Sequence, residues 1–450
     1  MYCEEGFVAS DIGLIPNDWD VREIKEILQN KGYIRGPFGS ALRRPEMKTE
    51  GIPVYEQANA IYNHRNFRFY IDEQKHEQLK RFTVKENDLL ISCSGTFGKI
   101  SIIHNEDPKG IISQALLILR PDTKKVNPNF LKYFFLSDKG YNALASRSLG
   151  SVQVNIAKRE VIEKIQLAIP KNRNEQDAIV KILKSLDDKI KLLNETNETL
   201  EQIAKALFKH WFVNFEFPDE NGNPYKSSGG IMKPSEVGMI PSDWDLVNLD
   251  NVADVIDCLH SKKPQKQEIG HLLLQVYNVG ENGLLDLSDP YFISENDFEM
   301  WTRRMILKKG DIIITKTGRV GAFARIPHGV SAAMGRNMVG IRAKTELMSH
   351  HFLIDLFSSK WIQDEIRKKT HDGTILKTLH VKSISTLQLP LPPNNLINKY
   401  EMVVQNIHEK FETNNEHIQS LTELHDLLLP RLMSGRIRVP VKEGDEACQV

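Results

Sequence analysis

The chain has 450 residues, with 59 Lys+Arg, 59 Asp+Glu, 14 His and 4 Cys. That length exceeds one ordinary core and points to two or three domains, while 40% hydrophobic and 26% charged residues exclude a disordered chain. Four scattered cysteines exclude a disulfide scaffold or a zinc module and fit a reducing, cytoplasmic setting; no apolar run nears the roughly 18 residues of a bilayer span; and a net charge of zero gives no global pull toward nucleic acid.

In chain order, the first ten residues, MYCEEGFVAS, lack the basic start and apolar core of a secretory signal. Ser10–Trp19 (SDIGLIPNDW) then opens a pattern that returns at Ser235–Trp244 (SEVGMIPSDW), 225 residues later. The repeat continues: NDLLISCSGTFGKISII from Asn87 aligns with GDIIITKTGRVGAFARI from Gly310, and IQLAIP (165–170) aligns with LQLPLP (387–392). A duplication of this period is two related domains, not a solenoid of short units. Within each copy, a Gly-rich turn region comes first (GYIRGPFGSAL in copy one), followed by short β-branched runs such as 88–92 and 311–315. SGTFG (94–98) and TGRVG (317–321) lie between such runs and predict hairpin turns. A helix follows, capped by Asn127 before Pro128 in copy one and by Ser349 in copy two, with His350 and His351 at its start. The predicted class is therefore α/β, as two pseudo-symmetric mixed α/β domains.

A different pattern closes each copy. From Asn174, apolar residues recur at 179, 183, 186, 190, 193, 200, 204, 207 and 211, alternating steps of four and three around a polar slot at Asn197. This is a heptad seam. The second copy gives Val404, Ile407, Phe411, Ile418, Leu421, Leu428 and Leu432, with Asn414 and His425 in the seam. Asn174 and Asn395 stand at equivalent cap positions, and Gly435 ends the second helix. An antiparallel coiled coil with Asn197 opposite Asn414, as register-setting residues, then sets Leu186 against His425 and leaves every other pair apolar. The linker, 216–238, is rich in Gly, Pro, Asn and Ser and predicts a surface loop; the tail after Pro440 is short and polar.

Catalytic signatures are missing. There is no GxxxxGK[ST] loop, LPPNN (391–395) lacks the aromatic of an amino-methyltransferase motif, and Glu73-Gln74-Lys75 sits in a polar, helix-prone stretch unlike a nuclease strand. No metal-ligand spacing occurs, since His350 and His351 are adjacent. What remains is binding by polar, Gly-flanked loops suited to duplex DNA, because Arg and Lys contact phosphates or guanine edges and Asn and Gln bond adenine edges. In copy one the candidates are Ser40, Arg43, Arg44 and Lys48; Gln57, Asn59, His64 and Arg65; and Thr96 and Lys99. In copy two they are Lys262, Lys263 and Lys266; Gln275 and Asn278; Lys316, Thr317, Arg319 and Arg325; and Arg336.

The repeated IPxDW, GPFGSAL, the paired hairpins, IQLAIP/LQLPLP, EQDAIVKILKSLDDKI, ALFKHWFVNFEF and LLLPRLMSGRI together resemble the specificity subunit of a Type I restriction–modification enzyme over nearly the whole chain. The resemblance implies target recognition domains at 1–173 and 239–393, a central spacer helix at 174–215, a linker at 216–238, a C-terminal spacer helix at 394–435 and a tail at 436–450. It implies that each domain reads one half of an asymmetric bipartite site in double-stranded DNA, and that the paired helices set the unread spacer. Two modification subunits would bind S-adenosylmethionine and methylate adenine, and restriction subunits would use ATP and Mg; the chain itself would hold no cofactor and catalyse nothing. A related Type II multi-subunit system fits the same residues; a single-chain nuclease or methyltransferase, or a coiled-coil adaptor, fits fewer of them. The neutral total also hides an asymmetry. Residues 20–170 hold 24 basic and 17 acidic residues, residues 245–390 hold 19 and 17, and the helices, linker and ends are acidic. The local excess of positive charge thus falls on the two domains that carry the candidate loops.

Overall fold

The computed structural model describes residues 6–38, 41–146, 155–281, 283–372 and 377–440. The tail beyond Pro440, and Ser40 among the candidates, lie outside the described residues. The chain forms two compact units, Met1–Lys191 with Gln419–Val450, and Leu192–Ile418.

Each unit repeats one plan. The SDIG and SEVG segments form the hairpins Phe7–Ser10/Gly13–Pro16 and Met232–Ser235/Gly238–Pro241. In both, the serine hydroxyl at the start of the turn donates to the glycine carbonyl three residues on, at 2.6 Å. Next, Trp19–Glu23 pairs with Gln166–Pro170, and Asp245–Asn248 with Gln388–Leu391, so the two ends of each domain close on one another. The centre is a four-stranded antiparallel sheet. In the first unit its order is Leu28–Arg35, Leu116–Pro121, Leu89–Ser92, Ile100–Ile102; in the second it is Ala253–Asp257, Met338–Ala343, Ile312–Thr315, Phe323–Arg325.

The apolar runs of these strands follow from burial on both faces. Leu89, Ile91, Leu117 and Leu119 face a core shared with Phe130, Leu131 and Phe134, whereas Leu90, Leu116 and Ile118 face a second core with Tyr55 and Ile112. The second unit divides Ile312, Ile314, Val339 and Ile341 from Ile313 and Met338 in the same alternation. The second core is roofed by a small three-stranded sheet in which Ile52–Tyr55 runs parallel to Ile111–Ile112, and His271–Leu274 parallel to Ala332–Met334. A bidentate ion pair braces each central sheet. Arg120 donates to both carboxylate oxygens of Asp88 at 2.7 Å, and Arg342 to those of Asp311 at 2.7 and 2.6 Å.

The long helices span Arg173–Phe208 and Asn394–Met433. Asn172, rather than Asn174, supplies the cap, its side chain accepting from the Asn174 amide at 2.9 Å; the carbonyl of Pro393 accepts from the Leu396 amide at the second start, so Asn395 is already helical. Gly435 ends the second helix at φ +69°. The helices run antiparallel. In the second unit Asn414 donates to Asn197 Oδ1 at 2.8 Å, while Phe208 packs on Tyr400 at 6.0 Å. In the first, Asp187 lies 3.6 Å from His425, while Glu175 pairs with Arg438 at 3.0 Å. Asn197 also donates to Asn415 at 3.0 Å, so the polar slot holds three amides where the seam pattern alone shows two.

Each long helix is tied to the short helix of its own unit. Tyr133 donates to Asp187 at 2.8 Å in the first unit. In the second the roles reverse, Asp355 accepting from Tyr400 at 2.8 Å and lying 3.0 Å from His408. His351 and Ser349 each reach Glu401 at 2.6 Å, so His351 anchors the long helix as well as standing at the start of the short one. The linker differs from the expected surface loop. Phe217 is buried and stacks on Trp244 at 5.4 Å, Phe215 meets the same indole edge-on, and residues 232–235 are already strand. Its Gly, Pro and Asn content sets the turns, but Phe217 joins the second unit's core with Trp244, Ile312 and Ile314.

Candidate nucleic-acid interface

Strand direction gathers the candidate loops. In the first unit Arg35 lies opposite Leu117, Ser92 opposite Leu116, and Ile91 opposite Ile100. The chain leaving Arg35, the hairpin 93–99 and the turn 113–115 therefore emerge at one end of the central sheet. The small sheet brings a fourth segment there, since Tyr55 pairs with Ile112 and leads into the helix Gln57–Ile61. The packing is tight: a Cβ on Gly36 would sit 2.0 Å from the Ser113 carbonyl oxygen, so only glycine lets these two loops touch. Gln57 reaches the Ser94 carbonyl and locks the helix to the hairpin. In the second unit Asp257 opposite Val339, Thr315 opposite Met338, Ile314 opposite Phe323 and Leu274 opposite Met334 make the same end from 258–267, 316–322, 335–337 and 275–278.

The hairpins are shaped alike. Ser92 Oγ donates to the Thr96 carbonyl at 2.7 Å, and Thr315 Oγ1 donates to the Arg319 carbonyl. Thr96 and Arg319 are thus equivalent, and both are exposed at the tip. Arg43, Arg44, Thr96 and Lys99 in the first unit, and Lys262 and Arg336 in the second, are exposed; Thr317 is half-buried. Lys263 lies over the Tyr291 ring at 3.9 Å, and Lys266 pairs with Asp289 at 2.7 Å. Lys48 pairs with Asp72 at 2.8 Å. Arg319 spends two guanidinium nitrogens on backbone, donating to the Val279 carbonyl at 2.8 Å and the Gly280 carbonyl at 3.3 Å. Lys316 is committed to Asp257 at 2.6 Å. Burial works to raise the Asp257 pKa, but hydrogen bonds from Lys316 and His260 leave it below the ordinary carboxylate value. Cys258 stands within 4.8 Å of these ligand atoms. The Lys316 ammonium already fills the cation's place against Asp257, so this trio reads as an ion pair.

Five candidates prove structural. Asn59 is 2% exposed; its Oδ1 accepts from the Glu56 amide at 2.7 Å and its Nδ2 donates to the carbonyls of His64 and Asn66. Asn278 is fully buried in the same role, accepting from the Gln275 amide at 2.8 Å and donating to the Asp286 carbonyl. A buried amide spent on backbone groups cannot also read a base. His64 accepts from the Asn66 amide at 3.2 Å, bracing the same turn. Arg65 points to the opposite end of the central sheet, donating to Asp107 at 2.7 Å and to the Ile102 carbonyl. Arg325 occupies that same far end, 7% exposed, stacked at 3.9 Å on Phe411. Burial there pushes its pKa down. The partly buried Gln275 turns its side chain toward Gly335.

Three exposed aromatics on or beside these loops escaped the sequence reading: Phe38 (59% exposed), Tyr62 (72%) and Tyr277 (50%). Arg35 stands over Phe38 at 5.8 Å, and Tyr62 stacks on His64 at 6.1 Å. The available signal was an aromatic ring flanked by polar residues inside a turn-rich segment, which suits base stacking or thymine-methyl contact.

Residues 16–202 match the family described as the Type I restriction modification DNA specificity domain. The Type I restriction enzyme MjaIX specificity subunit of Methanocaldococcus jannaschii is 25% identical over 448 residues, covering 97% of each chain. Over nearly its whole length the chain is thus similar to Type I specificity subunits, and residues 16–202 carry the match to their DNA specificity domain. A second such subunit, HindI of Haemophilus influenzae, is 22% identical over 414 residues, covering 79% of this chain and 87% of its own. The fold is shared with the crystal structure of the Type I restriction–modification S subunit from M. genitalium, at 16% identity and a TM-score of 0.56, covering 94% of this chain and 97% of that one. Among the described residues, no helix is long and apolar enough to cross a membrane.

Proposed function

We propose that each unit reads one half of a bipartite, asymmetric site in double-stranded DNA, and that two modification subunits docked on the chain then methylate adenine at the marked site. One observation carries this reading. The same loop-bearing sheet end is built twice on equivalent scaffolds, yet the exposed side chains differ: Thr96 against Arg319, Lys99 against Ala322. Equivalent scaffolds with divergent tips suit two different half-sites. In this reading S-adenosylmethionine belongs to the modification subunits, and ATP and Mg belong to restriction subunits that join the larger assembly in the cytoplasm. The chain supplies the address and no chemistry. A helix of about 36 residues is roughly 54 Å long at 1.5 Å per residue, enough to hold an unread spacer of about one DNA turn.

The test is to co-express the chain with its modification subunit and map methylated adenines across a genome. The expected result is one motif with two specified halves and a fixed unspecified gap. A continuous, ungapped motif would reject the two-half reading, and methylation by the purified chain alone would reject its non-catalytic role.

A further inference from the structure

The loop cluster of each unit has a centre. In the first unit it is the turn 113–115 between Ile111–Ile112 and Leu116–Pro121. The Ser113 amide donates to the Tyr55 carbonyl at 2.8 Å, the Cys93 amide to the Ala115 carbonyl at 3.0 Å, and the Gly36 amide to the Leu116 carbonyl at 2.9 Å. The helix segment, the hairpin and the Gly-rich loop are thus each pinned to this one turn. Gln114, at its tip, is exposed. The second unit repeats the arrangement. The Gly335 amide donates to the Leu274 carbonyl at 2.9 Å and the Lys316 amide to the Asn337 carbonyl at 2.7 Å. Matching donors make Gly335 equivalent to Ser113, and Asn337 to Ala115. Arg336 is therefore the counterpart of Gln114, and it too is exposed. Neither side chain has a partner among the described residues, whereas Gln57 and Asn59 in the first cluster, and Lys316, Arg319 and Asn278 in the second, are spent on backbone groups or an ion pair.

We infer that Gln114 and Arg336 are equivalent base-reading residues, and that the two half-sites differ at the position they read. This rests on the half-site reading above. Glutamine bonds adenine bidentately and arginine bonds guanine, both in the major groove. The first unit therefore specifies an A·T pair where the second specifies a G·C pair. Rigid placement favours such a role, because a reading residue needs a backbone that does not move and a side chain that is free.

The test is methylation mapping with the intact chain and its modification subunit, using Gln114→Arg, Arg336→Gln and the alanine variant at each site. Gln114→Arg is expected to change one base pair of one half-site from A·T to G·C, with the gap and the other half-site unchanged. Arg336→Gln is expected to make the reverse change in the other half-site. Each alanine variant should relax that single position, by about tenfold or more in preference. Unchanged motifs in all four variants would overturn the assignment. So would complete loss of methylation by alanine variants that melt like the unaltered chain, since that marks a general anchor and not a reader. If the unaltered chain directs no sequence-specific methylation, the half-site reading itself fails, and this inference with it.

Discussion

Single residues divide here into those that hold the reading surface and those that form it. Asp88 is fully buried beside the nearly buried Arg120, and the pair is repeated by Asp311 and the more exposed Arg342. Removing one member leaves an uncompensated charge, which costs far more than the net worth of the pair. Asp88→Ala is expected to destabilise the first unit by about 3–5 kcal/mol in urea unfolding. Asp311→Ala should cost less, because water reaches Arg342. Equal losses at the two sites would show that burial is not what sets the cost. Residue type alone separated holders from readers poorly. Asn59 and Gln114 are both plausible adenine readers by chemistry. Only the strand pairing shows that Asn59 closes a turn and that Gln114 stands free. Gln114 also lacked any motif to announce it, since it follows a two-residue strand inside an apolar stretch.

Elements were more legible than residues, and for a physical reason. Heptad spacing and hairpin turns are local patterns, so the antiparallel helices, the Asn197–Asn414 pair and both hairpins were readable from spacing. The small mixed sheet was not, because its two-residue edge strands carry no periodicity and their pairing is set by distant chain. Nor was the buried anchor of the second long helix. His350 is held below the ordinary histidine pKa by burial and then by His351. Its proton is therefore bound more weakly in the folded state than in the unfolded chain, and stability falls as pH drops from the ordinary histidine range toward the lowered value. Burial raises the Glu401 pKa, but hydrogen bonds from His351 and Ser349 outweigh it and leave it low. Its contribution is present above the ordinary carboxylate value and disappears at still lower pH. The second unit should thus lose stability in two acid steps. Urea titrations from pH 7 downward, followed through tryptophan fluorescence, measure this; a flat midpoint between pH 7 and 5 would remove the first step.

At the scale of the whole molecule, the duplication explains why a neutral, motif-poor chain can address DNA. Its scaffold was conspicuous as a repeat, whereas in the proposed reading its specificity lies in a few side chains that differ between the copies, such as Thr96 against Arg319. The second unit is continuous, Leu192–Ile418, whereas the first needs Gln419 onward, where Leu429, Leu432 and Met433 enter its core and Arg438 grips Glu175 and Asp18. The first unit is begun before the second but completed after it. Domains generally fold as units while the chain emerges. A ribosome stalled after residue 418 with the chain fully emerged is therefore expected to carry a protease-resistant second unit and a cleavable first one. Only Trp19 reports on the first unit, whereas Trp211, Trp244, Trp301 and Trp361 report on the second, so both can be followed in one chain. Equal protection of both units in the stalled chain would show that the closing segment is dispensable. The amino-terminal unit is thus an unfinished clasp until residues 419–440 have been made, and a premature stop before them would damage the half of the chain that was made earlier.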